Sequence, residues 1–463
     1  MKTYLTSFIV SFFFVAITTP LLIKIGIKYG FVDKVNRRKI HQGVIPRIGG
    51  IGIAMGTMFP LFLLLFYKNE VSQVLFGSMP NVYVIIFGGL AISLLGLYDD
   101  IKGTNAKIKL LFQIGLAVSA WYFGFEISAF STPWGVVQLG WFGIIITVLW
   151  IVGIINAFNL IDGMDGLSSG VSFFACITIM TLSIANEYMF VALVSAALAG
   201  AVVGFLIYNF NPAKIFMGDA GSMFIGYILA IVSLKNQSKG HTIVSLLVPI
   251  IAMGLPILDT TLAFVRRYMR NQSIFAADRQ HIHHMLLSKG WNQKKVVLVL
   301  YGITIFFTLL AMLLIFNKDA KAFLVITVFS IVIGVIITKL GYMELFYSRF
   351  KTGKEDRLEN ILESFLLEQM SLSDITENTI KSLPIKGFEI LDTKGEKLFS
   401  SGESDKMNFI DISNDNKLFI RLFWSKQVPT INTKESAMLS ILAKAIIQKT
   451  ICPEIESKKN AVS

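Results

Sequence analysis

Charge is scarce in this chain. Asp, Glu, Lys and Arg make up 16% of its 463 residues, against 54% apolar ones, and the mean hydropathy is +0.66. That balance excludes an ordinary soluble enzyme and points to a polytopic membrane protein. Cysteine is nearly missing too. Cys176 falls in an apolar run and Cys452 in the tail, so neither a disulfide framework nor a cysteine metal site is available. The first apolar run lacks a small-residue cleavage site and contains Pro20, so it reads as a first span rather than a signal peptide. No internal repeat is evident, which counts against an inverted-repeat transporter.

What the chain has in abundance is long apolar runs. They lie near 4–23, 48–67, 81–98, 108–123, 141–158, 167–185, 189–208, 221–234, 242–265, 295–315 and 322–339. Most can cross a ~30 Å hydrocarbon layer as helices, so the expected fold is an all-α polytopic bundle of about 10–11 transmembrane helices. With the N-terminus outside, the segments near 24–47, 99–109, 209–220 and 266–295 face the cytoplasm. They carry about 18 Lys and Arg against about 5 outside, as the positive-inside rule requires. The net charge of +12 is then explained by topology signals and anionic head groups of membrane lipids. No nucleic acid is needed to account for it.

After about Gly341 the composition changes. Residues 341–382 are charged and amphipathic, with Leu358, Ile361, Leu362, Phe365 and Leu366 at helical spacing. Strand-like pieces follow at 387–391, 397–400, 409–412 and 417–424, then an apolar-periodic helix near 433–450. The expected organisation is a membrane domain over 1–340, a helical linker over 341–382 and a small cytoplasmic α+β domain over 383–463, with a sensor-like role one reading of the last.

Acidic residues, scarce overall, gather where apolar runs meet short loops. Carboxylates at the edge of a hydrocarbon layer are costly, which makes each a functional suspect. Asp99-Asp100 closes the third run. Adjacent carboxylates repel, so one is protonated or the two share a cation, and at a helix C-terminus both oppose the dipole. Lys109 and Gln113 follow on one helical face. On spacing alone Lys109 reads as a snorkelling topology anchor, with phosphate binding the second reading. Asn156 to Leu167 offers Asn159, Asp162, Asp165, Gly163 and Gly166 in a loop with no Lys or Arg. Oxygen ligands of this kind suit Mg²⁺, while an EF-hand is excluded because the loop is too short and lacks the closing Glu. Phe216 to Ser222 places Asp219 among small residues before a helix start, suited to phosphate oxygens or simply to a cap. Asp278 to His284 holds Arg279, His281, His283 and His284. It lacks the spacing of a zinc protease, and anion or sugar recognition is the favoured reading. Finally, Arg37 to His41 leads into Pro46-Arg47-Ile48-Gly49-Gly50, a basic arm that can anchor topology or attract a lipid phosphate.

Taken in order, Lys-x-His with Pro-Arg-x-Gly-Gly, Asp-Asp, Asn-x-x-Asp-Gly-x-Asp-Gly-Leu, Gly-Asp-x-Gly-Ser and Asp-Arg-x-His-x-His-His resemble the polyprenyl-phosphate N-acetylhexosamine-1-phosphate transferases. The His-x-His-His form is similar to the bacterial branch using UDP-GlcNAc. The resemblance covers residues 1 to about 340 and leaves the tail outside. It implies transfer of N-acetylhexosamine 1-phosphate from a UDP-N-acetylhexosamine to undecaprenyl phosphate with release of UMP, at the bacterial inner membrane with a cytoplasmic active site. It implies Mg²⁺, or Mn²⁺ in its place, on Asn159 and Asp219. Lys109 and Arg279 would neutralise phosphates, Asp165 would lie near the uridine, and His281, His283 and His284 near the sugar. His41 and Arg47 would meet substrate phosphate. Asp99 or Asp100 would orient or deprotonate the attacking lipid phosphate. Asp162 is left open between nucleophile and loop support, with direct attack by the lipid phosphate preferred. A monomer and a homodimer both stay open. The rival from another class is a nucleotide-sugar or ion-coupled transporter, which needs ionisable residues near the midplane rather than at one face.

Overall fold

The computed structural model describes residues 2–33, 45–66, 70–132, 135–235, 243–269, 281–316, 322–339, 387–392, 397–402, 408–414 and 418–424. His41 and Arg279, the linker over 341–382 and the expected helix near 433–450 lie outside them. The chain divides into two compact units, Met1–Tyr342 and Met343–Ser463.

The first unit is helical, as its apolar runs require when backbone groups must be satisfied within each segment. In chain order come α1 (Lys2–Tyr29), the short antiparallel pair β1 (Val32–Asp33) and β2 (Ile45–Pro46), α2 (Gly49–Phe66), α3 (Glu70–Gly77) and α4 (Met79–Tyr83). A π-helical turn over Val84–Gly88 leads into α5 (Gly89–Lys102), followed by α6 (Ala106–Tyr122) and the hairpin β3 (Ala129–Thr132) and β4 (Gly135–Gln138). Next are α7 (Phe142–Ile161), α8 (Leu167–Ala185), α9 (Met189–Asn209) and α10 (Gly218–Lys235). The series ends with α11 (Ile243–Ala252), α12 (Gly254–Met269), α13 (Ile282–Ser288), α14 (Gln293–Phe316) and α15 (Ala322–Lys339).

Among the described residues seven helices are long and apolar enough to cross a membrane; α2 and α15 are shorter apolar helices. Two expected spans differ from simple helices. The third is interrupted by the π turn, whose Val84 carbonyl accepts a hydrogen bond from the Tyr227 hydroxyl at 3.1 Å. A side chain inserted from a neighbour is a known cause of such an irregularity. The run at 242–265 is divided at Met253 into α11 and α12, where Pro256 has no N–H to return to the Ala252 carbonyl.

α9 and α10 form the centre of this unit, each with 83% of its apolar stretch buried, against 17% for α1 at the rim. α10 packs on α5, α7 and α2, and α9 on α1, α8 and α2. Buried hydroxyls on these helices, Thr19, Thr57, Thr147, Ser172 and Ser183 among them, donate to carbonyls one turn back, so no water is needed to satisfy them. The start of α10 is gripped closely. A Cβ on Gly50 would lie 2.0 Å from the Gly221 nitrogen, and one on Gly96 2.4 Å from the Ala220 nitrogen, so glycine lets α2 and α5 approach its backbone.

The second unit contains an antiparallel sheet of β5 (Gly387–Asp392), β6 (Lys397–Gly402), β7 (Asn408–Asn414) and β8 (Leu418–Trp424) in the order β6-β5-β8-β7. Phe388 pairs with Leu422 and Ile390 with Ile420.

Candidate active site

Separate turns meet at the first residues of α10. α5 stops at Gly103, whose φ is +75°, and Asn105 caps α6 by accepting from the Lys107 amide at 2.9 Å. This tight reversal lays Lys109 back over the end of α5. Its Nζ donates to Asp219 Oδ2 at 2.7 Å and also to Asp99 Oδ2. Lys109 is therefore no lipid-surface anchor, and spacing alone misjudged it. Asp100 does something different from its neighbour. Its Oδ1 and Oδ2 accept from the Asp219 and Ala220 amides, both at 3.1 Å, so a carboxylate from another helix caps α10 and meets its positive dipole end. From α7, Asn159 Nδ2 donates to Ser222 Oγ at 3.0 Å, and Ser222 donates on to the Gly218 carbonyl at 3.0 Å. Below Lys109 on the same face of α6, Gln113 accepts from Asn156 Nδ2 at 2.7 Å.

Gly218 makes the junction possible. Its φ is +68°, and a Cβ there would lie 2.4 Å from Asp100 Oδ2 and 2.5 Å from the Arg47 carbonyl. The Arg47 arm is laced to this loop by backbone bonds: the Phe216 amide to the Pro46 carbonyl at 2.8 Å, Gly49 to Phe216 at 3.1 Å and Gly50 to Met217 at 2.9 Å. The Arg47 side chain pairs with Asp33 at 3.3 Å, an acid the motif reading did not single out.

The loop after α7 is held from two sides. Asp162 is half-buried just beyond the helix. Burial, reinforced by the negative charges of Asp219 and Asp100 and opposed by Arg47, pushes its carboxyl up to about 8. Asp165 is 3% exposed, and its Oδ2 accepts from Asn211 Nδ2 and the Ala213 amide, each at 3.0 Å. Gly166 donates to Asn209 Oδ1 at 3.1 Å and accepts from the Tyr301 hydroxyl at 2.6 Å. Asp165 thus fastens the loop to the segment after α9.

The histidines form a second cluster beside that loop. His281 Nδ1 lies 2.9 Å from Asp259 Oδ2, and the Ile282 amide donates to Asp259 Oδ1 at 2.8 Å. His283 is buried, and a Cβ on Gly163 would lie 2.4 Å from its Nε2. Burial, together with His284, lowers the His283 pKa to about 3, so the ring is neutral. His284 is exposed, its ring centroid 4.3 Å from that of His283. Asp259 was missed at the motif level, although it is the one acid inside the 242–265 run, and that isolation was the available signal.

Around α10 the donors are oxygens and one ammonium. Among the described residues no group of three or more His, Cys, Asp or Glu is set to hold a metal ion. Asn159 and Asp219, brought to one helix start through Ser222, fit a hard cation that takes one or two protein ligands and the rest from phosphates and water.

Comparison with known proteins identifies the family. Residues 82–237 match glycosyl transferase family 4. The chain is 39% identical over 335 residues to a probable undecaprenyl-phosphate N-acetylglucosaminyl 1-phosphate transferase of Bacillus subtilis, spanning 72% of this chain and 90% of that protein. It is 32% identical over 326 residues to the undecaprenyl-phosphate alpha-N-acetylglucosaminyl 1-phosphate transferase of Yersinia pestis, spanning 67% and 81%. It is 33% identical over 298 residues to a decaprenyl-phosphate N-acetylglucosaminephosphotransferase of Mycobacterium tuberculosis, spanning 59% and 73%. With its multi-pass apolar helices and these matches, the chain belongs to the polyprenyl-phosphate N-acetylhexosamine-1-phosphate transferases of glycosyl transferase family 4.

Proposed function

We propose that this protein transfers N-acetylglucosamine 1-phosphate from UDP-N-acetylglucosamine to undecaprenyl phosphate, the first membrane step of a cell-envelope polysaccharide. The observation that carries the reading is the junction of Lys109, Asp99, Asp100 and Asp219 at one helix start. In the proposed reaction an oxygen of the lipid phosphate attacks the phosphorus that bears the sugar. The bond to the bridging oxygen breaks, and its electron pair leaves with UMP. Such a reaction asks for alignment and charge neutralisation more than covalent help.

In this scheme Lys109 would exchange a carboxylate for a phosphate oxygen, and Asp99, once released, would orient the incoming lipid phosphate. Asp100 keeps the α10 terminus in place, so its part is to hold Asp219. Mg²⁺ on Asn159 and Asp219, with Mn²⁺ able to replace it, would supply neutralisation of the diphosphate. Direct attack by the lipid phosphate, which is already ionised near neutral pH, is preferred to a covalent step on Asp162. Asp165 pins the loop assigned to the uridine, and His281, His283 and His284 take the sugar side. Arg47 and, outside the described residues, His41 and Arg279 complete the phosphate contacts.

The orientation belongs to the same proposal. About 10–11 spans with the N-terminus outside put these residues at the cytoplasmic face of the bacterial inner membrane. The domains are proposed as a transferase over 1–340, a helical linker over 341–382 and a regulatory α+β unit over 383–463, in a monomer or homodimer. The transporter alternative finds no support, since the acids gathered around the start of α10 lie at helix ends.

Membranes containing the protein, incubated with labelled UDP-sugars and undecaprenyl phosphate, should move label into an organic-soluble product that UMP reverses. EDTA should stop the transfer, and Mg²⁺ or Mn²⁺ restore it. Label that enters vesicles unchanged would favour the transporter, and no transfer from any UDP-hexosamine would end the proposal.

A further inference from the structure

Asp259 is 2% exposed in the second turn of α12, inside an otherwise acid-free apolar run. A carboxylate in such a place is kept only where its oxygens are fully used. Both of them are spent on one short segment: Oδ2 on His281 Nδ1 at 2.9 Å and Oδ1 on the Ile282 amide at 2.8 Å. A carboxylate at Nδ1 selects the tautomer that carries its proton there and leaves the lone pair on Nε2. From this fixed ring the segment continues in register. His281 and His283 stack with centroids 5.8 Å apart and planes 6° apart, and His284 follows. His283 Nε2, buried against Gly163, has no hydrogen-bond partner among the described residues. α12 packs on α7, the helix that leads into the Gly163 loop.

We propose that Asp259 is a positioning residue for the transfer. It holds His281 as the Nδ1–H tautomer and, through that ring, keeps His283 and His284 beside the Gly163 loop, where the sugar side of the nucleotide is handled. This rests on the transferase reading above. Asp259 touches no substrate in this scheme and acts only through His281. The competing role is that of a fold anchor, which caps α13 and has no further effect on turnover.

Asp259→Asn separates the two. It conserves volume and an oxygen for the Ile282 amide, but turns an N–H₂ toward Nδ1 and so favours the opposite tautomer. The full-length protein, purified in detergent, would be assayed with UDP-N-acetylglucosamine and undecaprenyl phosphate varied independently. Ring ¹⁵N spectra would be recorded alongside, the chain having five histidines, with His281→Gln to assign the signal. The expected result is a roughly 10- to 100-fold fall in kcat/KM for the UDP-sugar, no change in KM for the lipid phosphate, and a His281 signal shifted to the Nε2–H form. Unchanged kinetics, an equal rise in the lipid KM, or an unshifted His281 signal would each overturn the proposal. If the Asn variant does not fold, the wild-type spectrum decides, since an Nε2–H His281 there refutes the tether. A wild-type protein inert toward every UDP-sugar would defeat the transferase reading instead, leaving the spectrum to judge Asp259.

Discussion

Lys109 donates to Asp219 Oδ2 at 2.7 Å although 110 positions separate them in the chain. Two helices that are not consecutive thereby share one charge pair at the start of α10, and the same ammonium also serves Asp99.

Removing that ammonium should be severe. Lys109→Met deprives Asp99 and Asp219 of the ammonium they share, and transfer should fall by roughly 100-fold or more, as when one preorganised donor of a developing charge is deleted. Lys109→Arg should recover only part of it, because a planar fork cannot replace a compact ammonium between two oxygens. Initial rates of lipid-linked product formation measure both, and a Met variant within threefold of wild type would contradict the assignment.

Gly218→Ala tests the backbone of the site rather than its chemistry. The new methyl would enter a left-handed residue and lie 2.4 Å from Asp100 Oδ2. The conformation alone costs about 1–2 kcal/mol, and displacement of the Asp100 cap adds to it. A lower thermal midpoint in detergent together with a loss of transfer is expected. A silent substitution would show that the cap is dispensable.

Asp162 predicts a pH dependence with a definite sign. Its carboxyl is raised from 3.8 to about 8 in the folded state, so between those values the native protein holds a proton that the unfolded chain has released. Stability should therefore fall as pH rises from about 4 toward 8. Thermal melts of the EDTA-treated protein across that window check it, and Asp162→Asn should flatten the slope.

Truncation after Tyr342 follows the boundary between the two compact units. The shortened protein should keep basal transfer, because every described residue assigned to the site precedes that boundary. Loss of activity in a well-folded truncation would make the second unit part of the catalytic machinery.

Much of this protein was legible in its sequence. Apolar runs report spans because a hydrocarbon layer imposes length and composition locally, and Gly103, Gly166 and Gly218 sit where short connections need a positive φ. Scarce acids at the ends of those runs marked the site for the same reason. The division of labour among them was not legible. Asp99 and Asp100 are neighbours, yet one is ion-paired and the other caps a helix 119 residues onward, because successive helical side chains point about 100° apart.

What the sequence by itself determined is therefore the membrane class, the order of the polar turns and the residue types available at each. Only the tertiary structure decided that Lys109 turns inward, that Asp165 is spent on Asn211 and Ala213, and that Asp259 anchors His281. Hydropathy and turn chemistry act over a few residues and can be read from them. Which charges neutralise one another depends on how α5, α6, α7, α10 and α12 pack, and that is settled only when their apolar surfaces meet.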